Sequence, residues 1–467
     1  MVRLFANPLP IAENQKASAI NLIKGARPHM RAFHFSWLSF LTAFTGWFAI
    51  APLMTSIRKD LKLTPDQIAD SNISSVSSTI IFRIVVGPLC DRIGPRRVMS
   101  VLLMVGAIPV GLSGLVQSAE GLIAVRFFVG ILGATFVPCQ FWTTHMFDSK
   151  VVGSANALVG GWGNMGAGIT YVLMPLIFEG FNQSAGLSES LSWRVTLIVP
   201  AVLCFIVGLC DFLFTDDCPK GDWLHPTVPL EVHKASAEKK DDVTTIEDSE
   251  KQVHRDTPPR PGAKQFFMAL KNPNVIILMF MYACAFGVEL AVDNVLAVFF
   301  HDHFNISQKN AGLIGSLFGL MNLFSRATGG FLSDFANEKF GIRGRLLIQF
   351  VILFMEGLFL FIFRFTLRNL GEAIVILILF SYFTQACCGT SFGIVPFVDP
   401  AIVGAISGLV GAGGNMGGVA FNAVFKLYSS EATPTGFMVL GIVVMVVSFS
   451  SFFLKIEGRR LVEFKRG

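Results

Sequence analysis

The chain has 467 residues, of which 52% are hydrophobic and only 15% charged, and its mean hydropathy is +0.60. Soluble domains carry about 25% charged residues, so this composition excludes an ordinary soluble protein and describes one that crosses a membrane many times. Membrane topology can account for the net charge of +5, which makes no case for a nucleic-acid partner.

Residues 1–32 are polar and lack the apolar run of a secretory signal, so they read as a cytoplasmic N-terminal tail. A bilayer core about 30 Å thick takes about 20 apolar residues per helix. In chain order, twelve such segments lie at 33–57, 67–89, 97–117, 121–144, 152–178, 193–214, 273–300, 308–333, 344–364, 372–396, 402–427 and 435–454. Between the sixth and seventh, the hydrophilic stretch 215–272 contains KKDDVTTIEDSEK and PPRPG and has too little apolar content to fold alone. It reads as a largely disordered cytoplasmic linker. Thr244, Thr245 and Ser249 stand there among acids, which suits an acid-directed kinase, although a charged linker needs no such partner. Residues 455–467 read as a cytoplasmic C-terminal tail. The eight cysteines include no CxxC pair and lie mostly within apolar segments, so they read as small packing residues. No cofactor or metal site is expected.

The apolar segments divide into two halves of equal length, 33–214 and 273–454, which suggests a duplication. Residues repeat with them. Arg83, Gly87 and Asp91 recur at the same spacing as Arg326, Gly330 and Asp334, and GGWGNMGAG (160–168) is echoed by GAGGNMGG (411–418), setting Asn164 against Asn415. The expected fold is an all-α membrane protein, twelve transmembrane helices in two pseudo-symmetric six-helix bundles. Arg58, Lys59, Lys62, Arg194, Lys309, Arg364 and Arg368 lie in the odd-to-even connections. The tails and even-to-odd connections hold many more basic residues, including Arg92, Arg96, Arg97, Lys339, Arg343 and Arg345, which places both ends and the linker inside. Asn182-Gln-Ser and Asn305-Ile-Ser, in predicted outer loops, match the glycosylation sequon, and at most one is expected to be used.

Two six-helix halves around a midplane site form the layout of alternating-access transporters. GPLCDRIGPRR (87–97) resembles the helix 2–3 loop signature of the major facilitator superfamily, and RFFVGILG (126–133) is similar to its helix-4 arginine-glycine pattern. The two GNMG segments resemble the paired signatures of its nitrate/nitrite porter family, in the fungal and plant branch, and the resemblance spans about 33 to 454. It implies that Arg83 and Arg326, one per half, bind the anion, with Tyr282 as a hydroxyl donor and Phe286 as an apolar wall. The chemistry agrees. A guanidinium is planar, permanently charged, and carries forked donors that match a planar oxyanion such as nitrate. Pairing with a carboxylate or a helix end is the alternative for each arginine.

Asn164 and Asn415 either donate amide hydrogens to the anion or bond between helices. Gly163, Gly166, Gly414 and Gly417 remove side chains along one helix of each half, either for sliding during rocking or for static packing. Glu289 and Asp293, one turn apart, either pair with a basic group, Arg126 included, or move protons; Asp293 otherwise lies near the outer water. Asp91, Arg92, Arg96 and Arg97 look like a cytoplasmic charge latch. Asp334 repeats the acid without an arginine beside it, so a weaker second latch is expected.

The expected function is import of nitrate, and of nitrite, through the plasma membrane with cotransported protons. An inside-negative membrane opposes anion entry by about 2.3 kcal/mol per charge per 100 mV, so uptake against a gradient favours about two protons per nitrate. Nitrate/nitrite exchange and a nitrate receptor signalling through the linker are the alternatives. No nucleophile–base pair, metal cluster or nucleotide loop marks an enzyme.

Overall fold

The computed structural model describes residues 7–148, 151–224, 268–399, 402–428 and 432–462, and these contain helices with no strand beyond isolated bridges. We number the principal helices α1 (His29–Leu61), α2 (Pro65–Ile93), α3 (Pro95–Leu112), α4 (Ala119–Met146), α5 (Val152–Glu179) and α6 (Glu189–Phe214). The second half holds α7 (Pro273–Phe304), α8 in two pieces (Gln308–Leu320 and Ser325–Phe340), α9 (Ile342–Thr366), α10 (Leu370–Phe397), α11 (Val403–Leu427) and α12 (Thr433–Phe453). Linker and tail calls at Thr244, Thr245, Ser249 and 463–467 lie outside the described residues. Among the described residues, 9 helices are long and apolar enough to cross a membrane, and α5, α8 and α11 are not among them. Glycines and polar residues lower the hydropathy of α5 and α11, and α8 is broken into pieces of 13 and 16 residues. In each bundle the glycine-rich helix packs on the first helix, α5 on α1 and α11 on α7, and the bundles meet along α5 with α8 and α2 with α11.

Local chemistry fixes the turns. Thr64 caps α2 in a reciprocal pair with Gln67, and Pro65 occupies the first helical position. Gly94, between α2 and α3, has φ +88°, and a Cβ there would meet Asp217 at 2.6 Å and Trp223 at 2.7 Å. Only glycine satisfies both constraints. The linker therefore starts differently from its composition-based reading. Residues 215–224 fold back onto the α2–α3 turn, where Arg96 meets Asp217 at 3.2 Å and Arg97 meets Asp222 at 2.7 Å, while the Trp223 ring packs on Phe141 and His145. Burial raises the Asp217 carboxyl above its usual range against the pull of Arg96. Nor is the N-terminal segment loose: Ala17 and Ile20 are buried, and Ala17 exchanges backbone hydrogen bonds with Met146 and Asp148.

The halves touch unequally along their length. At the end remote from the linker, Arg58 forks onto Asp302 (2.7 and 3.0 Å), Lys309 meets Glu179 (2.8 Å) and Lys426 meets Asp70 (2.6 Å), all between halves. There Gly168 and Gly319 lie backbone to backbone, with a Cβ on either coming within 2.4 Å of the other helix. Toward the linker end, Cβ atoms on Gly87, Gly153 or Gly408 would meet nothing within 4 Å among the described residues. The ion pairs of that end, Arg96 with Asp217 and Arg345 with Asp334, each stay within one half. The halves are thus closed together at the far end and parted toward the linker end.

Candidate functional site: a buried arginine pair between the halves

Arg83 and Arg326 are each 4% exposed and lie at the α2–α11 and α5–α8 contacts. Arg83 donates Nε and Nη2 to the Gly133 carbonyl at 3.1 and 3.0 Å and Nη1 to the Gly411 carbonyl at 3.1 Å. Gly133 lies in a 3-10 turn, Gly130–Thr135, that interrupts α4. The guanidinium lies 5.0 Å from the Phe136 ring and 5.3 Å from that of Phe286, an arrangement in which aromatic faces stabilise a cation. No carboxylate pairs with it among the described residues.

Arg326 follows the interruption in α8 and crosses to the first half. It passes over Gly160 and Gly161, where a Cβ on Gly160 would stand 3.2 Å from its Nη1. With the Asn164 amide turned to suit its neighbours, Oδ1 accepts from Nη1 at 2.6 Å and Nη2 at 2.8 Å. Gly160 and Gly411 each precede their asparagine by one turn. Each arginine is therefore docked on the same feature of the opposite half.

The carboxylate alternative holds for Arg326 alone. Its Nη2 lies 3.5 Å from Glu289 Oε2, while Asn322 donates to Glu289 Oε1 at 2.8 Å. Glu289 thus pairs with Arg326 and not with Arg126. Arg126, buried, donates to Ser71, Asn72 and Asn294, since α4 faces the polar first turns of α2 and the C-terminal half of α7. Asp293 is 1% exposed, not at the outer water, and neither carboxylate oxygen has a hydrogen-bond partner among the described residues. The Tyr171 hydroxyl donates to its backbone carbonyl.

Tyr282 and Phe286 stack at 5.4 Å and both border Gly414. The buried Tyr282 hydroxyl has no partner among the described residues. Asn415 donates Nδ2 to the Gly411 carbonyl at 3.2 Å, within its own helix, and its Oδ1 is unpartnered. Asn164 offers its oxygen to Arg326, a hydrogen bond between helices, which is the second of the two roles its position allowed.

The four glycines fall elsewhere than a sliding interface. Cβ atoms on Gly163 and Gly166 would strike Phe40 and the Leu41 carbonyl of α1, and those on Gly414 and Gly417 would strike Tyr282 and the Ala283 carbonyl of α7. These are contacts within a half. Glycines that face the other half include Gly160, Gly161, Gly168, Gly312, Gly315 and Gly319. At the linker end, Arg96 and Arg97 take Asp217 and Asp222 as partners, Arg92 is exposed, and Asp91 lies in α2. Asp334 does have its arginine. Arg345, eleven positions on in α9, reaches it at 2.6 Å, because α8 runs on past Asp334 to Phe340 before its one-residue turn at Gly341, whereas α2 ends at Ile93, soon after Asp91.

Two residues escaped the sequence reading. Phe136 and Phe392 meet edge to face at 5.7 Å, and Phe392 also packs on Tyr282 at 5.0 Å. They occupy matching places, Gly133-Ala-Thr-Phe136 on α4 and Gly389-Thr-Ser-Phe392 on α10. Aligning the two halves along those helices would have found them.

The profile of the Major Facilitator Superfamily matches residues 36–422. The chain is 36% identical over 446 residues to "High affinity nitrate transporter 2.5" of Arabidopsis thaliana, covering 96% of this chain and 83% of that protein. It is 31% identical to "Nitrate/nitrite transporter NrtP" of Nostoc punctiforme, covering 91% and 92%. A solved bacterial homologue of the human lysosomal transporter Spinster, inward-facing and unoccupied, superposes with a TM-score of 0.62 at 16% identity, over 92% of this chain and 97% of that one, a likeness of fold. With twelve helices, paired arginines and paired glycine-asparagine helices, the chain belongs to the major facilitator superfamily and, within it, to the nitrate/nitrite porter family.

Proposed function

We propose that this chain carries nitrate, and nitrite, into the cell across the plasma membrane by alternating access, driven by cotransported protons. The observation that carries the reading is the repeat-related arginine pair, each member docked on the glycine-asparagine helix of the other half. Arg83, Arg326 and Glu289 together leave one positive charge, which suits a planar monoanion. Arg83 spends donors on carbonyls of both halves, so an anion bound there would exchange those contacts for its own and hold the halves together. Tyr282 and Asn415 retain unused polar atoms beside it. The names of the plant and cyanobacterial relatives support nitrate as the substrate.

The excess of basic residues at the linker end supports a cytoplasmic linker and cytoplasmic termini, with bundles at 33–214 and 273–454. In that orientation the far-end ion pairs close the outer mouth and the parted glycines open the inner one. Asp91, Arg92, Arg96, Arg97 and Asp334 then brace the cytoplasmic ends of the bundles.

Glu289 supplies the first coupling step. Nitrate and the carboxylate compete for Arg326, so bound nitrate leaves Glu289 without its cation and favours its protonation. One proton per nitrate makes the step electroneutral, and about two let the membrane potential drive it.

Labelled nitrate uptake into proteoliposomes, with current recorded, tests this reading. Uptake should rise with an inward proton gradient, and nitrate should evoke an inward current. No labelled nitrate uptake would overturn the transport reading, and one-for-one exchange without current would replace symport.

A further inference from the structure

We propose that Glu356 is a second proton-binding site, one that relays its proton to Glu289 during each cycle. The inference rests on the proton-coupled reading above. Glu356 lies on α9, is 0% exposed, and neither carboxylate oxygen receives a hydrogen bond among the described residues. A carboxylate held in the membrane interior without a partner is costly, and becomes tolerable as the neutral acid.

The surroundings offer no cation. From α7 the titratable groups near it are Cys284 and Glu289, and from α10 they are Cys387 and Cys388. Helix α12, which packs on α9, has no titratable side chain, and on α8 the Arg326 guanidinium is turned to Glu289. The neighbouring Thr384 hydroxyl gives its hydrogen to the Phe380 carbonyl at 2.9 Å, which leaves its oxygen to accept from a protonated Glu356.

The other membrane acids differ. Both oxygens of Asp211 receive the Ser39 hydroxyl, at 2.9 and 2.8 Å. Asp293 lies on α7 itself, one turn from Glu289, and its chain neighbour Asn294 accepts from Arg126 Nη2 at 3.0 Å. Glu356 has Glu289 and thiols about it and no cation among the described residues, with the Cys388 thiol 3.7 Å from Glu289 Oε2.

The relay is balanced. Glu289 first gives up its own proton to the cytoplasmic side. The O–H bond of Glu356 then breaks as an O–H bond forms on the Glu289 carboxylate, Glu289 releases this second proton to the cytoplasmic side as well, and both carboxylates reload when the site next faces outward. Two protons thereby accompany each nitrate.

The test is Glu356→Gln in proteoliposomes, read by labelled nitrate counterflow, by uptake driven by a pH gradient, and by nitrate-evoked current. Glutamine keeps the shape of the neutral acid and cannot release a proton. Counterflow should stay within about twofold of wild type, while the current disappears and uptake becomes insensitive to voltage. Glu356→Asp should restore the current. An unchanged current in Glu356→Gln overturns the proposal, as does loss of counterflow together with current, which would make Glu356 structural. If Glu356→Gln does not fold, the proposal stands or falls on Glu356→Asp. It requires a current whose pH dependence is displaced, and an unaltered pH dependence overturns it. Wild-type protein that fails even in counterflow would instead remove the nitrate reading beneath it.

Discussion

Arg83 and Arg326 differ in what surrounds them, and the difference sets what each should do. Arg83 has backbone carbonyls and two aromatic faces, whereas Arg326 shares Glu289 and Asn164. Hydrogen bonds to charged groups are worth about 1.5–3 kcal/mol, so Arg83→Lys, which keeps the charge and loses the fork, should weaken nitrate binding by about tenfold or more. Titration calorimetry reads this directly, and unchanged affinity would reduce the pair to plain electrostatics. Glu289 gives a pH prediction with a definite sign. Protonating it frees Arg326, so wild-type nitrate affinity should rise as pH falls, and in Glu289→Gln it should be high and flat across the same range. A Glu289→Gln protein with the wild-type pH profile would take this carboxylate out of the coupling. The arginines were legible in the sequence because a charge repeated at fixed spacing in two apolar helices stands out. Phe136 and Phe392 were not, since a phenylalanine in an apolar helix is ordinarily packing, and the Arg326–Glu289 pair joins helices whose facing no spacing rule reveals.

At the scale of elements, the breaks and the small residues carry the design. Both Gly133 and Arg326 sit at or just after a 3-10 interruption, in α4 and α8, the discontinuities that transporter sites exploit at the midplane. The glycines divide into two classes with different expected phenotypes. Gly168→Leu would intrude on the Gly319 backbone across the interface, so it should fold, reach the membrane and lose turnover by at least about tenfold, with the far end trapped open. Gly163→Leu would drive a side chain into Phe40 of the same bundle, so it should fail in folding, by about 1–3 kcal/mol or more. Size-exclusion profiles and accessibility of a cysteine placed at the far end separate the two, and identical behaviour would contradict the division. The twelve helices of the described residues were readable from apolar length, even α5 and α11, whose glycines pull their hydropathy down, and α8, which a 3-10 turn interrupts. The docking of 215–224 was not readable, because its aspartates find partners only once α2 and α3 have brought Arg96 and Arg97 to the same end.

Among the described residues, three cross-half ion pairs close the molecule at one end and the halves part at the other, and both features bear on the proposed cycle. Exposed ion pairs are worth about 0.2–1 kcal/mol each, so Arg58→Ala should shift the balance between states by up to about fivefold toward the outward-open form. Pairing Arg58→Asp with Asp302→Arg should restore it. Double electron–electron resonance between far-end labels measures the balance, and no change in either variant would deny those pairs a gating role. The duplicated halves were plain in the sequence. Which end was closed was not, because closure depends on contacts between residues far apart along the chain. The central claim, that Arg83 and Arg326 grip one planar monoanion between the halves, is tested most directly by the thermal stability of the detergent-purified protein. Nitrate and nitrite should stabilise it, by about 2.7 kcal/mol at a hundredfold excess over the dissociation constant, and sulfate and phosphate should not. Arg83→Ala should fold and lose the nitrate shift, and a nitrate shift that survives in Arg83→Ala would place the site elsewhere.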